Sequence, residues 1–574
     1  MIAHCSPISG IDTFGERLVA TAGYDNQIIL WNAATRTSIA RGVHDHLVNQ
    51  CQFSSCGEFL VSASSDYSAR VWSVPDMRLR CALLGHDDDV EMASFDSSRS
   101  RVATASRDHR CRIFDLNGRL QHTLEGHTRD VLSVAWVKND RELVSSSDDG
   151  TVRRWSTSTG RLLETIDFEG VETDTIAVCA NGCIYSGNDQ GLITCINSGV
   201  RQTYDAHVAG IKRLVHNDRN SLLLSCSYDR TVKLWRSEAK PGVESCAPAG
   251  RLDLLRSFDV PANVWLRSCA FDGTSRAVFG TFGETYAILD LNTGVWNIED
   301  VGTTPGLNAV WSCDEMTYSV GDAGVVIRNG TPHAELGSSC NFIGGFPELV
   351  VTGGQLGLLF DAGTGKVLHE HWSPLNCCAT FERDGAPMLV VGTYTGEGLI
   401  FRKDSGGLHH FKTLRLFDNA VKGLAANEST IFSVSANRAA AFHSTGDLTL
   451  IRHVSEAHER ICNGAAALRD GRFASVSRDR KLKIWDVGSD SVVSVETPHL
   501  HSIKCVAASP QSGLIATGAY DGTVAIFDVE HNRWILTSRP TISGISSLTS
   551  TSDPFKFLAS SYDGKTYTIC SGER

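Results

Sequence analysis

Proline is scarce in this sequence, with 14 in 574 residues, and its 18 cysteines include no Cys-x-x-Cys pair. Glycine is abundant, at 52 residues, which suits many tight turns between strands. The cysteines are scattered, and several (Cys51, Cys179, Cys226, Cys505) sit inside apolar, strand-like runs. A chain this long does not need disulfide staples, so they are expected to be reduced and buried in a cytoplasmic protein. No stretch approaches the roughly 18 uninterrupted apolar residues of a membrane helix, so no membrane partner is expected. The opening residues, MIAHCSPISG, lack a basic segment followed by an apolar run, and no secretory signal is expected. Basic charge is also in deficit: the formal net charge is -12, which makes nucleic acid an unlikely partner for the overall field. Charged residues at 21% and apolar residues at 42% exclude a largely disordered chain.

What is present is a repeat. The segments LVATAGYDNQIILW, LVSASSDYSARVW, VATASRDHRCRIF, LVSSSDDGTVRRW, LLSCSYDRTVKLW, FASVSRDRKLKIW and IATGAYDGTVAIF share one spacing. Ser or Thr stands four residues before an Asp, and Trp or Phe stands six residues after it. The sets are Thr21/Asp25/Trp31, Ser62/Asp66/Trp72, Thr104/Asp108/Phe114, Ser145/Asp149/Trp155, Ser225/Asp229/Trp235, Ser475/Asp479/Trp485 and Thr517/Asp521/Phe527. A histidine precedes each Asp by 21 or 22 residues: His4, His44, His86, His127, His207, His458 and His499. Between His and Asp the residues alternate apolar and polar, which is strand periodicity.

In this spacing the chain resembles the WD40-repeat family. Gly-His itself occurs only at Gly85-His86 and Gly126-His127, and Trp-Asp only at Trp485-Asp486, so the resemblance rests on spacing. It implies an all-β fold of four-stranded antiparallel blades closed into propellers. It also implies that Ser/Thr, His, Asp and Trp form a hydrogen-bonded chain across the blade. A partly buried carboxylate needs such donors. Phe114 and Phe527, and Ile569 in a weaker unit, lose the indole donor, so those blades should lean on apolar packing.

Counting weaker units gives fourteen, about 41 residues each. Two seven-bladed propellers in tandem are expected, because rings close at four to eight blades. Blade 5 is degenerate, with Asp189 read as its turn residue and Tyr185 and Cys195 in place of Ser/Thr and Trp. Blade 7 is read from VWLRSCAFDG onward, and blades 8–11, about 303–455, have no tetrad. Blade 14 keeps Asp563. The division is placed near 292, giving propellers at 1–292 and 293–574. Velcro closure is expected, with 294–301 completing blade 14 and MIAHC completing blade 7. The segments 237–250 and 403–407 read as surface loops.

Recurring Ser, His and Asp are also the parts of a hydrolase triad, but seven copies at one spacing read as structure, and no Gly-x-Ser-x-Gly elbow is present. DAGTGKV, 361–367, fails the phosphate-loop spacing at Phe360 and Val367. The His-x-His pairs His44/His46, His369/His371 and His499/His501 show no third ligand. Asn427-Glu428-Ser429 matches a glycosylation acceptor without a secretory context. No catalytic, metal or cofactor site is expected.

The family resemblance implies that partners are held on one rim of each disc. That rim includes the residue before each turn Asp and the residues one, three and five after each His. Asp87, Asp89, Glu91, Asp130 and Asp148, with Arg107 among them, are expected to form an acidic sector that attracts a basic partner segment. Arg478, Tyr520 and Tyr562 are expected to neighbour one another on the second ring as contact anchors. In blades 8–11 the candidate exposed apolar residues are Trp311, Phe346 and Trp372. The leading function is a non-catalytic scaffold that positions partner proteins in a complex. The alternatives are a propeller-based enzyme or ligand-binding subunit and an RNA-associated assembly factor; fold alone does not choose among them.

Overall fold

The computed structural model describes residues 2–572 except 198, 238–250, 314 and 490. The loop expected at 237–250 therefore lies almost wholly outside the described residues. Among these residues the chain is all β, in thirteen four-stranded sheets and one three-stranded sheet, each an antiparallel meander of consecutive strands.

Blade 4 shows how the sequence makes a blade. Its strands are Val131–Val137, Glu142–Ser147, Thr151–Ser156 and Leu162–Asp167. The second strand is almost wholly buried, whereas the fourth alternates and is largely exposed. Strands two and three pair with Ser145 opposite Arg153 and Leu143 opposite Trp155. Between them Asp149 accepts from Thr151 N at 2.9 Å, and Gly150 takes φ 75°. A Cβ on Gly150 would stand 2.6 Å from the Gly170 backbone, so glycine is required there for both conformation and space.

Blades pack face to face through apolar clusters. Ala103, Cys111 and Ile113 of blade 3 meet Val131, Leu143 and Trp155 of blade 4. The first strand of each blade touches the first strands of the blades before and after it. In the first unit the series closes when Ile8–Phe14 meets Val264–Asp272 of blade 7; in the second, Leu307–Cys313 meets Ile545–Ser550 of blade 14. Each unit is therefore a closed ring of seven blades.

The closure differs from the Velcro arrangement. Trp296–Asn297 pairs with Ala287–Asp290 as the fourth strand of blade 7, so blade 14 keeps three strands. Residues 2–5 of the expected closing segment form no strand. The first ring is shut by packing and side-chain bonds between blades 1 and 7: Thr13 Oγ1 donates to Phe271 O at 2.6 Å, and Ile11 N donates to Ser268 Oγ at 3.0 Å. The division falls at 303/304 rather than near 292, because 293–303 is held by blades 6 and 7. Trp296 Nε1 donates to Asp259 O at 2.9 Å, and Val301 is fully buried in the cluster shared by those blades. We propose that each unit folds by itself. Limited proteolysis is then expected to give two stable fragments meeting near 303; stable fragments cut inside a ring, near 150 or 450, would refute independent folding.

Blades 8–10 hold together by a device the motif search did not reveal. The second residue of the first strand is asparagine in each, and its amide donates to a backbone carbonyl at the start of the next blade. Asn308 reaches Cys340 O at 3.0 Å, Asn341 reaches Leu375 O at 2.8 Å, and Asn376 reaches Val421 O at 2.9 Å. Asn463 and Asn49 do the same towards Ile503 and Val90. Each bond ties the first strand of one blade to the first strand of the next.

Candidate partner-binding rim

The tetrads form as the spacing predicts. In blade 2, His44 Nδ1 meets Asp66 at 2.8 Å, His44 Nε2 meets Ser62 Oγ at 2.7 Å, and Trp72 Nε1 donates to Ser62 at 2.8 Å. The same three contacts, at 2.7–3.0 Å, join His4, Thr21, Asp25 and Trp31 in blade 1. They recur in blade 4 with His127, Ser145, Asp149 and Trp155 and in blade 6 with His207, Ser225, Asp229 and Trp235. Blade 12 repeats them with His458, Ser475, Asp479 and Trp485. Burial alone would raise the Asp66 carboxyl, but the His44 bond, Ser68 and Arg70 outweigh it and hold it well below the usual carboxylate range. Burial lowers the pKa of His44, His86 and His127. These groups are buried and bonded to one another within each blade.

The blades without an indole diverge. In blade 3, His86 still meets Asp108 at 2.9 Å and Thr104 at 2.7 Å, and Arg112 adds a donor to Asp108 at 2.6 Å. Phe114 is fully buried among Val90 and Val102, the apolar packing expected there. In blade 13, His499 bonds Thr517 at 2.8 Å, while its Nδ1 finds no partner. Burial pushes His499 down to about 4.

Blade 5 needs a correction of one residue. Gly191 N donates to Asn188 O, and Asp189 N donates to Glu172 O. The equivalents in blade 4 are Gly150 N to Ser147 O and Asp148 N to Asp130 O. Asp189 is therefore the counterpart of Asp148 on the rim, Gln190 takes the turn position, and Ser186, paired with Thr194, takes the place of Ser145. Neither Tyr185 nor Cys195 stands in the tetrad positions assigned to them.

The carboxylates expected to form an acidic sector stand in different environments. Asp87 is exposed, 3.6 Å from Arg110 and away from the others. Asp89 is buried, at 1% exposure. Glu91 is held between Arg107, at 2.5 Å, and Arg267, at 2.9 Å. Arg107 also donates to Asp130 at 2.6 Å, and Arg267 donates to Tyr24 Oη at 2.9 Å. The carboxylates continue into blades 5 and 6, where Lys212 ties Asp174 to Asp189 and lies 4.7 Å from the Tyr228 ring centre. Burial first, then Asp130, Glu172 and Asp174, push Asp148 far up. Burial with Asp189 and Asp174 pushes Glu172 up to about 7. The carboxyl groups are therefore most crowded over blades 4–5. Glu172 and Asp174 escaped the sequence search because blade 5 has no histidine from which to count. Lys212, five residues after His207, was open to projection.

On the second ring, Arg478, Tyr520 and Tyr562 do converge. Tyr520 and Tyr562 stack at 6.4 Å, and the Arg478 guanidinium lies 6.0 Å from the Tyr520 ring. Lys422 lies 4.4 Å from the Tyr394 ring centre and 3.3 Å from its hydroxyl. Burial alone would raise the Tyr520 phenol, but Lys504, Arg478 and Lys422 outweigh it and lower it. Of the apolar candidates in blades 8–10, only Trp372 is well exposed, at 66%; Phe346 is buried, and Trp311 packs against Tyr318 at 6.0 Å. Among the described residues no group of His, Cys, Asp and Glu is arranged to hold a metal ion, and no helix is long and apolar enough to cross a membrane.

Two seven-bladed rings stitched by a His–Asp–Ser/Thr–Trp tetrad define a WD-repeat β-propeller protein. The family described as "WD domain, G-beta repeat" matches residues 39–73, 78–115, 118–156, 198–236, 421–486 and 491–528. Those segments of the chain are WD40 repeats. It is 34% identical over 132 residues to the nuclear distribution protein nudF of Aspergillus terreus, covering 19% of this chain and 30% of that protein. It is 30% identical over 176 residues to the DENN domain and WD repeat-containing protein SCD1 of Arabidopsis thaliana, covering 29% and 14%. With the transcriptional corepressor LEUNIG_HOMOLOG of the same plant it shares 21% over 270 residues, covering 39% and 34%. The chain thus spans less than half the length of these curated relatives.

Proposed function

We propose that the protein is a non-catalytic scaffold that holds partner proteins on its rims, and that the first ring receives a basic segment of a partner. The observation that carries this is the run of carboxylates over blades 4–5, namely Asp130, Asp148, Glu172, Asp174 and Asp189, set against Arg107, Lys212 and Arg129, the last 3.6 Å from Glu172. Two of them, Asp148 and Glu172, are pushed up by burial and by neighbouring carboxylates. A Lys or Arg side chain placed there favours the ionised forms. The compartment proposed is the cytoplasm, where thiols such as Cys226 and Cys269, 3.4 Å apart and unjoined, stay reduced. The names of the relatives, among them a nuclear distribution protein and a corepressor, accord with work in multiprotein assemblies.

The test is fluorescence anisotropy of the full chain with a labelled Lys/Arg-rich peptide. Asp148→Lys combined with Glu172→Lys is expected to weaken binding at least about tenfold and to flatten its salt dependence. Wild-type binding should strengthen as pH rises through about 7, because the bound cation draws protons off Glu172. Unchanged affinity in the double variant would overturn the reading of the first rim. Turnover of a small molecule by the purified chain would overturn the non-catalytic assignment.

A further inference from the structure

Blade 14 differs from the other blades at its outer edge. Its strands are Ile545–Ser550, Lys556–Ser561 and Thr566–Cys570, and the third pairs inward, with Leu558 opposite Thr568 and Phe557 opposite Ile569. Among the described residues no strand pairs with its outer side. The backbone N–H and C=O groups on that side are therefore open to another strand. Burial follows the same line. In blade 13, Val524 and Ile526, three and five residues after the turn Asp, are fully buried, as are Ile28 and Leu30 in blade 1. Their counterparts in blade 14, Thr566 and Thr568, are exposed. On the opposite face Ile569 packs into the apolar cluster shared by blades 13 and 14, Tyr567 lies against that cluster, and the Tyr567 hydroxyl donates to Asp563 at 2.6 Å. The strand is thus anchored on one face and bare along its edge.

Sheet edges are ordinarily blunted by charge, by proline or by shortness. The outermost strands of the other blades carry these devices. Each holds at least one Lys, Arg, Asp, Glu or His, except Trp296–Asn297 of blade 7, which is two residues long. Thr566–Cys570, TYTIC, holds none of them and no proline. Its sequence is also complementary to itself. Laid antiparallel to a second copy about a two-fold axis at Thr568, it sets Thr568 opposite Thr568, Tyr567 opposite Ile569 and Thr566 opposite Cys570. Thr–Thr and aromatic–β-branched pairs are favourable cross-strand neighbours. No like charges meet, because Lys565 falls opposite Ser571. The faces agree as well: Tyr567 and Ile569 share one face of the strand in both copies.

We propose that the outer edge of blade 14 pairs with the same edge of a second copy of this chain, joining the two through one six-stranded sheet. The self-complementary register and the lack of charge select this occupant, since a two-fold contact requires a surface that matches itself. A pairing of five residues buries little area, so the dimer is reversible and concentration-dependent rather than permanent. Two chains joined in this way present every rim twice, which strengthens the hold on a partner that carries two docking segments. This goes beyond the scaffold reading and uses none of its rim residues.

The experiment is sedimentation equilibrium of the full chain over a range of concentrations, joined to disulfide trapping. The wild type should show a monomer–dimer equilibrium. Thr568→Lys sets two ammonium groups opposite each other and should weaken dimerisation at least about tenfold, whereas Thr568→Val should retain it. Residue 568 is exposed, so neither change disturbs the core. Thr566→Cys brings a thiol opposite Cys570 of the second copy, at the roughly 4.5–5.5 Å Cα spacing of an antiparallel pair, within reach of a disulfide. Diamide, which takes up the two hydrogens, should then link position 566 of one chain to Cys570 of the other, as read by mass spectrometry of the joined peptides. In the wild type the two Cys570 residues stand about 14 Å apart in this register, and no link between them should form. A chain that is monomeric at every concentration, a dimer indifferent to Thr568→Lys, or a link between the two Cys570 residues would overturn the proposal. So would a monomeric chain whose edge binds a labelled peptide of residues 533–538, the outermost strand of blade 13, since the edge would then take a strand from a different protein.

Discussion

Asp66→Ala is expected to destabilise the first ring by about 3 kcal/mol, whereas Asp521→Ala should cost the second ring under about 1 kcal/mol. The two aspartates occupy the same position in their blades, but their surroundings differ. Asp66 accepts from His44 at 2.8 Å, from Ser68 N at 3.0 Å and from Arg70 at 3.1 Å. Removing it leaves Nδ1 of a buried imidazole without its acceptor, while Arg70 keeps Val43 O and Asp45, and an unpaired buried group carries the larger penalty. Asp521 accepts from Thr523 N at 3.0 Å, and His499 Nδ1 makes no hydrogen bond to it. Its loss removes a turn bond and little more. Calorimetry with separate transitions for the two rings checks this; equal losses would show that the histidine bond contributes nothing to a tetrad.

Acidification should weaken the second ring through His499. The sign follows from a pKa lowered on folding, from 6.5 to about 4 by burial, with Asp521 acting weakly the other way. The unfolded chain takes up this proton below about pH 6.5, while the native ring resists it until about pH 4. The stability attached to His499 is therefore complete above pH 6.5 and is lost as pH falls towards 4. The gap corresponds to about 3 kcal/mol. Asp322 opposes it in the same ring: raised to about 7, it favours the folded state as pH falls below that value. The readout is therefore the difference between wild type and His499→Gln, which retains a hydrogen-bonding side chain near Thr517 without the titration. Denaturation at pH 7.5 and 5 should show a smaller loss, or a larger gain, in the variant than in wild type. Parallel behaviour of the two proteins would refute the assignment.

The blades were legible where their chemistry is local. A tetrad needs His, Ser/Thr, Asp and Trp at fixed distances along one meander, so spacing alone located Ser145, Asp149 and Trp155 and their counterparts. Counting failed where the anchor was missing. Without a histidine in blade 5, Asp189 was assigned to the turn although it stands on the rim, and Glu172 and Asp174 were overlooked. In blades 8–10 the stabilising residue is an asparagine whose partner lies in the next blade. A bond between blades leaves no mark within a single repeat.

By itself the sequence determined that the chain is all β, that it is built of fourteen repeats, and which side chains stitch six of the blades around a His–Asp pair. Those features depend on alternation and spacing within about forty residues. Tertiary structure decided what happens between repeats. It closed each ring by packing between first strands, gave Trp296–Asn297 to blade 7, and set the division at 303/304. It also decided which charged groups meet. Residues distant in sequence, such as Lys422, Arg478 and Lys504, are brought beside one phenol only when seven blades close into a ring, and electrostatic character is a property of that assembled neighbourhood.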